Sequence, residues 1–384
     1  MQLPDSYEAL YEQAKRTGAT DLRAAVEQLR RLVDRLLNLP ERVLDRKPNL
    51  RDLRGRVADD YLLFLRWAGQ NDEALAEVER LSQAMPERAA FWTLERALNL
   101  IDSGKVSEGL DVLRALLLQR SADEYYVRYV LARELWAAGE YAEATELAKV
   151  LAQDARDDTK RVIALSLLMS IAMEVNDPRA VVSYAQKIKE QTDHVPFAAC
   201  EWLAGRGHWD DLEELLKRVK QRFMQRFFRG EICRARGDEA GAKALWAPLL
   251  DEERSGDVDV HSYVAVRVLT QQADEGLEDV LKTILAEQPV DSVLSLALIA
   301  ALVQMGRVDE AVAKVQAYLD RMRLFRPYWK RLPYSYWLRL RRYPMPAEAV
   351  EVLRPYFVTE QAANAQRRHG GTRLAPPTMS AIMG

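Results

Sequence analysis

The feature that most constrains this chain is a recurring unit in which a helical stretch closes on a glycine, turns, and opens a second helix. It is clearest at Gly69, Gly104 and Gly139, which are spaced by 35 and 35 residues. Gly207, Gly237 and Gly306 keep the same period if each wider gap holds one unit without the glycine, marked by Val175 to Ala180 and by Gln271 to Gly276. A helix ends most easily on a residue at positive φ, which glycine adopts without strain. Five positions later comes a small residue, as at Ala74, Gly109, Ala144, Ala242 and Ala311, that lets the second helix lie close to the first. Such a helix pair cannot bury its apolar face alone, so neighbours stack into a shared core and the ends need caps.

At 384 residues the chain is longer than one globular core usually allows, which suits an array that grows without enlarging its core. Only 17 glycines and 15 prolines interrupt a mix rich in Ala, Leu, Glu, Arg and Val, so the fold class read here is all-α. The 48% hydrophobic and 29% charged fractions are those of a folded, soluble protein. The longest apolar stretch, Val293 to Val303, is too short to span a bilayer. The first residues lack the basic and apolar regions of a signal peptide, so a cytoplasmic location is expected. Cys200 and Cys233 lie on apolar helix faces and read as core thiols.

Several units add an aromatic or aliphatic residue two positions after the glycine (Val106, Tyr141, Trp209, Val308), and one closes with Pro86. In these positions the chain resembles tetratricopeptide repeats over about eight units, residues 55–320. The early Trp of that family is absent, its paired first-helix glycine survives only as Gly230, and two units lack the turn glycine. The resemblance implies an α-solenoid, a right-handed superhelix of antiparallel helix pairs. Residues 1–54 would form an N-terminal helical cap with a helix from Asp21 to Leu37 stopped by Pro40. Residues 321–357 would form an aromatic, basic C-terminal cap ending in a helix from Ala347 to Phe357, and 358–384 a flexible tail.

The resemblance also implies that the first helix of each pair lines a groove where partners bind. With the turn glycine as fifteenth, the groove positions are the second, fifth, ninth and twelfth. They hold Phe91, Leu94, Leu98 and Ile101 in one unit and Tyr126, Tyr129, Arg133 and Trp136 in the next, followed by Val162, Leu165, Met169 and Phe197. An apolar, aromatic stripe on a wetted face marks an interaction site, here for an amphipathic helix or an extended peptide. If the stripe is turned inward, the same residues are core. The Lys and Asn set with which some family members clamp a C-terminal carboxylate is missing, Arg56, Asp59 and Leu63 standing there instead.

Charge is unevenly spread about the net of −3. Between Arg218 and Arg236 seven basic residues face one acid, Glu231. Between Arg321 and Tyr343 there are eight basic residues and no acid, interleaved with Phe325, Tyr328, Trp329, Tyr334, Tyr336, Trp337 and Tyr343. Cations among aromatics suit phosphates and stacked bases, so Arg326, Lys330, Arg331, Arg339, Arg341 and Arg342 form a candidate nucleic-acid patch. The competing reading is a cap whose Arg and Lys stems cover aromatics. A basic end against another copy's acidic body would instead make a homo-oligomer. A further reading puts the tail from Leu374 to Met383 into the groove.

Nothing points to catalysis. His194, His208, His261 and His369 are scattered, no His and Cys spacing suits zinc, and no glycine-rich loop follows a strand. Asp210 with Glu213 reads as a helix-capping box. The expectation is therefore a non-enzymatic adaptor without cofactor or metal, holding a protein or peptide, with nucleic acid as the alternative and no membrane contact.

Overall fold

The computed structural model describes residues 4–18, 21–119, 124–251, 260–287, 291–325, 331–332 and 334–358. Arg326, Lys330 and the tail from residue 359 onward lie outside them. The described residues are helices joined by turns, with no β-strand among them and one isolated backbone bridge, Leu332 to Phe357.

The chain divides into two compact units, Met1–Leu131 with Arg323–Tyr328, and Ala132–Met322 with Trp329–Gly384. The first holds α1 (Pro4–Gly18), α2 (Leu22–Leu37), α3 (Glu41–Arg46), α4 (Pro48–Trp67), α5 (Asn71–Ala84), α6 (Ala89–Asp102), α7 (Val106–Leu118) and the start of α8 (Glu124–Ala138). The second continues with α9 (Tyr141–Asp154), α10 (Asp158–Glu174), α11 (Pro178–Thr192), α12 (Phe197–Arg206), α13 (Trp209–Leu216), α14 (Arg222–Ala235) and α15 (Glu239–Asp251). It ends with α16 (Val260–Leu269), α17 (Glu275–Glu287), α18 (Ser292–Gln304), most of α19 (Val308–Phe325), α20 (Tyr334–Leu340) and α21 (Ala347–Leu353).

The first unit shows why the N-terminal residues fold as they do. Asp21 caps α2, its carboxylate accepting from the Ala24 amide at 3.0 Å. Pro48 at the first position of α4 loses no hydrogen bond, because that amide has no intrahelical partner. Leu29, Leu36, Leu53, Leu62, Leu65 and the ring of Tyr61 are fully buried in one cluster. Arg30 donates to the Tyr61 hydroxyl at 3.1 Å, yet burial still pushes that phenol up to about 12.

The repeat is visible in the backbone. All six expected turn glycines, 69, 104, 139, 207, 237 and 306, have φ between 72° and 88°. The two units without glycine place Asn176 (φ 58°) and Gln271 (φ 57°) in the same conformation. In all eight turns the amide after that residue donates to the carbonyl five residues back, as from Gln70 to Leu65 and from Arg307 to Leu302, at 2.8–2.9 Å. This bond satisfies a carbonyl that the helix end leaves open.

Three expectations need correction. The fifteenth position of the 176 unit is Asn176 and not Val175, so Val162, Leu165 and Met169 each sit one residue off register, and the equivalent positions are Ile163, Ser166 and Ser170. Asp210 and Glu213 do not cap α13, whose N-cap residue is His208; both instead accept from Arg236, at 3.4 and 2.8 Å. The last helix stops at Leu353 and tightens into a 3-10 turn, Arg354–Tyr356, because Pro355 restricts the residue before it and supplies no amide.

Candidate functional site

In the second unit the first helices of successive pairs are neighbours, α12 beside α14, α14 beside α16, and α16 beside α18, so their ninth positions line one face. The register places Glu201 and Glu231 there, each six residues before its turn glycine. Neither carboxylate is wetted: Glu231 is 2% exposed and Glu201 9%. A buried carboxylate is costly unless paired, and the partners come from far along the chain.

They are Arg339, in the last turn of α20, and Arg342, just past its end. Arg339 donates from Nη2 to Glu201 Oε2 at 2.5 Å and from Nη1 to Ser292 Oγ at 2.7 Å. Arg342 bridges two repeat units, donating from Nη1 to Glu201 Oε1 at 3.3 Å and from Nε to Glu231 Oε1 at 3.2 Å, with Nη2 on the second oxygen of Glu231. Two donors on one carboxylate is the fork geometry in which Arg exceeds Lys. Burial alone would lower the pKa of both arginines, but the carboxylates hold both above the ordinary value, Glu201 for Arg339 and Glu231 with Glu201 for Arg342.

Around this quartet the backbone of the segment is also gripped. Arg234 of α14 donates to the Arg342 carbonyl at 3.1 Å. Gln304 of α18 donates to the Pro344 carbonyl at 3.0 Å and to Val268 of α16 at 2.8 Å. The Arg342 guanidinium stands 6.0 Å from the ring centre of Phe227, the fifth-position residue of α14. Tyr343 is buried beside the two glutamates, and that burial raises the pKa of its hydroxyl strongly. Residues 331–358 close on themselves: Leu332 donates to Tyr356 at 2.8 Å and accepts from Val358 at 2.9 Å, and Trp337 lies 5.3 Å from Phe357 between ring centres. A closed segment of the chain thus lies on the first-helix face of its own second unit.

This arrangement corrects the nucleic-acid patch. Arg339 and Arg342 are spent on buried carboxylates and cannot offer their charge to phosphates, while Arg331 and Arg341 are exposed and Arg341 stands 5.8 Å from the Trp337 ring centre. Four cations that are neighbours in sequence thus divide into two that are paired with buried carboxylates and two that are exposed.

The groove residues read from the sequence divide in the same way. Leu94, Trp136, Leu165 and Met169 are buried, at 3, 7, 6 and 4% exposure. Phe91, Tyr129, Arg133 and Phe197 are half-buried, and Tyr126 is 49% exposed. Phe91 is covered by the Arg88 guanidinium, 4.1 Å from its ring centre, and Arg88 is held by Asp59 at 2.8 Å. Phe197 packs on Phe227 and Phe228, with ring centres 6.3 and 5.1 Å away. On α8, Arg133 donates to the buried Glu134 at 2.7 Å. Of the nine, Phe91, Leu94, Tyr126 and Tyr129 fall in the first unit and the others in the second.

Glu201 and Glu231 are not among the site residues read from the sequence, where Glu231 stands only as the lone acid of a basic stretch, although the ninth-position rule carried two units further finds both. Among the described residues no group of three or more His, Cys, Asp or Glu side chains is placed to hold a metal ion, and no helix is long and apolar enough to cross a membrane.

Eight successive turns share one backbone geometry, and equivalent positions of consecutive first helices converge on one guanidinium. The architecture is tetratricopeptide-like. No family model matches the chain, and no curated protein matches it. Among solved structures, a tetratricopeptide repeat protein from Parabacteroides merdae is 14% identical, covering 68% of this chain and 97% of its own, with a TM-score of 0.34. A human IFIT1 dimer with PPP-AAAA is also 14% identical, covering 77% of this chain and 69% of its own, with a TM-score of 0.32. Yeast Tom70 is 12% identical, covering 95% and 96%, with a TM-score of 0.28. Superpositions this loose carry no argument about what the tetratricopeptide-like chain binds; its own side chains do.

Proposed function

We propose that the chain is a non-catalytic scaffold that holds a helical or extended segment of a partner protein on its first-helix faces. One observation carries this reading: in the second unit such a face already grips a peptide segment, by paired side chains and by backbone carbonyls. A face that binds a segment of its own chain in this way has the chemistry to bind one from another protein.

The groove positions that remain wetted are on α8, where Tyr126 is exposed and Tyr129 and Arg133 are half-buried. We assign the partner contact to these three, with the tyrosines as anchors and Arg133 as an orienting charge. Trp136, on the same helix, is too buried to serve without disturbing the fold. The nucleic-acid reading has lost its two central arginines, and no observation replaces them.

The test is capture of partners from nuclease-treated lysate of the source cell by the full chain and by a Tyr126→Ala/Tyr129→Ala variant. Loss of an aromatic anchor costs about 2 kcal/mol, more than tenfold in affinity. Proteins retained by the parent after nuclease and lost by a variant of unchanged helicity would support the scaffold. Identical capture by both, or loss of all partners on nuclease treatment, would refute it.

A further inference from the structure

We propose that the first-helix face built from α12, α14 and α18 is a receptor for an arginine-bearing helical segment. In this view residues 331–358 are its built-in occupant, and a partner carrying the same chemistry must displace them. The proposal rests on the scaffold reading and names the ligand class of its covered face.

The receptor side is complete in itself. Glu201 and Glu231 stand at the same position of consecutive units, so the repeat sets the distance between them, and α18 adds the Ser292 hydroxyl, which accepts from Arg339, and the Gln304 amide, which donates to the Pro344 carbonyl. The occupant side is a short recognition element. Arg339, in the last turn of α20, and Arg342, two residues past its end, reach the same carboxylate, Glu201, and Tyr343 follows into the buried site. Arg341, between them, is exposed. Charge complementarity is one to one, two guanidinium groups for two carboxylates.

A second observation separates the occupant from the array. The contacts of 331–358 within itself, Leu332 with Tyr356 and Val358 and Trp337 with Phe357 and Arg354, do not involve the repeats, so the segment can leave as a body. Leaving would expose two carboxylates that have no other good partner: Arg234 reaches Glu231 only at 3.9 Å. An empty face would therefore be an anionic slot calling for paired arginines, and this chemistry excludes an acidic or purely apolar ligand.

The probe is a fluorescein-labelled peptide of residues 331–358, titrated into the full-length chain and into its Arg339→Gln/Arg342→Gln variant, with folding checked by circular dichroism. A tethered occupant acts at an effective concentration of about a millimolar, so a peptide of micromolar affinity should bind the parent on the order of 1,000-fold more weakly than the variant. Peptide carrying glutamine at both arginine positions should not bind, and adding Glu201→Gln/Glu231→Gln to the variant should abolish binding of the native peptide.

Equal affinity for parent and variant would overturn the occlusion while leaving the scaffold reading intact. Failure of a folded variant to bind, or binding indifferent to the peptide's arginines, would overturn the receptor assignment. If the variant does not fold, hydrogen exchange on the parent decides. About a millimolar unlabelled peptide should strip protection from α20 and leave α12 and α14 protected, and unchanged α20 protection would sink the proposal. Failure of the scaffold reading would show separately, in the capture experiment on Tyr126 and Tyr129, which leaves both glutamates intact.

Discussion

Replacing Arg342 by methionine keeps the aliphatic stem and removes the charge that serves two glutamates. Glu231, 2% exposed, would be left with Arg234 at 3.9 Å, while Glu201 would keep Arg339 at 2.5 Å. Stripping one partner from a buried pair costs about 3–5 kcal/mol, and the nearby Arg234 and the partial exposure of the site put Arg342→Met near the lower end, about 3 kcal/mol. Glu231→Gln alone should cost less, about 1–2 kcal/mol, because Arg342 is 13% exposed and retains Glu201. The double variant should cost no more than the glutamine alone, so the coupling between the two sites is expected at about 3 kcal/mol, the whole cost of Arg342→Met.

Urea titration followed by circular dichroism and tryptophan fluorescence measures the cycle. Stacked repeats unfold in parts, so the loss should appear in the transition of the second unit. The penalty also has a ceiling: once it exceeds the docking free energy of residues 331–358, the segment leaves, Glu231 becomes hydrated, and further loss stops. Single variants within about 0.5 kcal/mol of the parent, or strictly additive effects, would refute the pairing argument.

Three other outcomes follow from the same physics. Gly104, at φ 88° with no heavy atom within 4 Å of a built Cβ, should lose about 1 kcal/mol as alanine from backbone strain alone, whereas Gln271→Gly, at φ 57°, should gain a few tenths to about 1 kcal/mol; equal signs in thermal melts would contradict the turn assignment. Gly230→Ala would place a methyl group on the indole of Trp246, which is fully buried and donates to the Phe227 carbonyl at 3.0 Å, and overpacking of this kind costs about 1–3 kcal/mol, so an unchanged melting temperature would count against that packing. Burial raises the pKa of Glu95 despite its 2.8 Å pair with Arg66, so the folded state binds its proton more tightly and loses stability as pH rises from the ordinary 4.5 through the raised value; the melting temperature of Glu95→Gln minus that of the parent should grow over that window and then level, and a flat difference would contradict it.

The turns were legible in the sequence because they are local. A glycine, the residue two after it and the small residue five after it lie within six positions, and their chemistry is that of one helix end. Where the glycine is missing the signal weakens: the turn residue is Asn176, one after Val175, and asparagine tolerates the left-handed conformation better than valine. That offset of one residue carries Leu165 and Met169 onto a face they do not share. The occupied face was not legible, because Arg342 and Glu201 are separated by 141 residues and no local pattern announces their meeting. A run of arginines among aromatics looks the same whether the cations face water, a phosphate or a buried carboxylate. Only the fold distinguishes Arg339 and Arg342 from Arg341.

The most direct test of the account is hydrogen exchange with mass spectrometry on the full chain and its Arg339→Gln/Arg342→Gln variant. If residues 331–358 occupy the first-helix face through those two arginines, α20 and the neighbouring stretches of α12 and α14 should lose protection together, while α5, α6 and α7 remain as in the parent. Unchanged protection of α20, or a loss spread evenly over both units, would show that the quartet does not hold the segment in place.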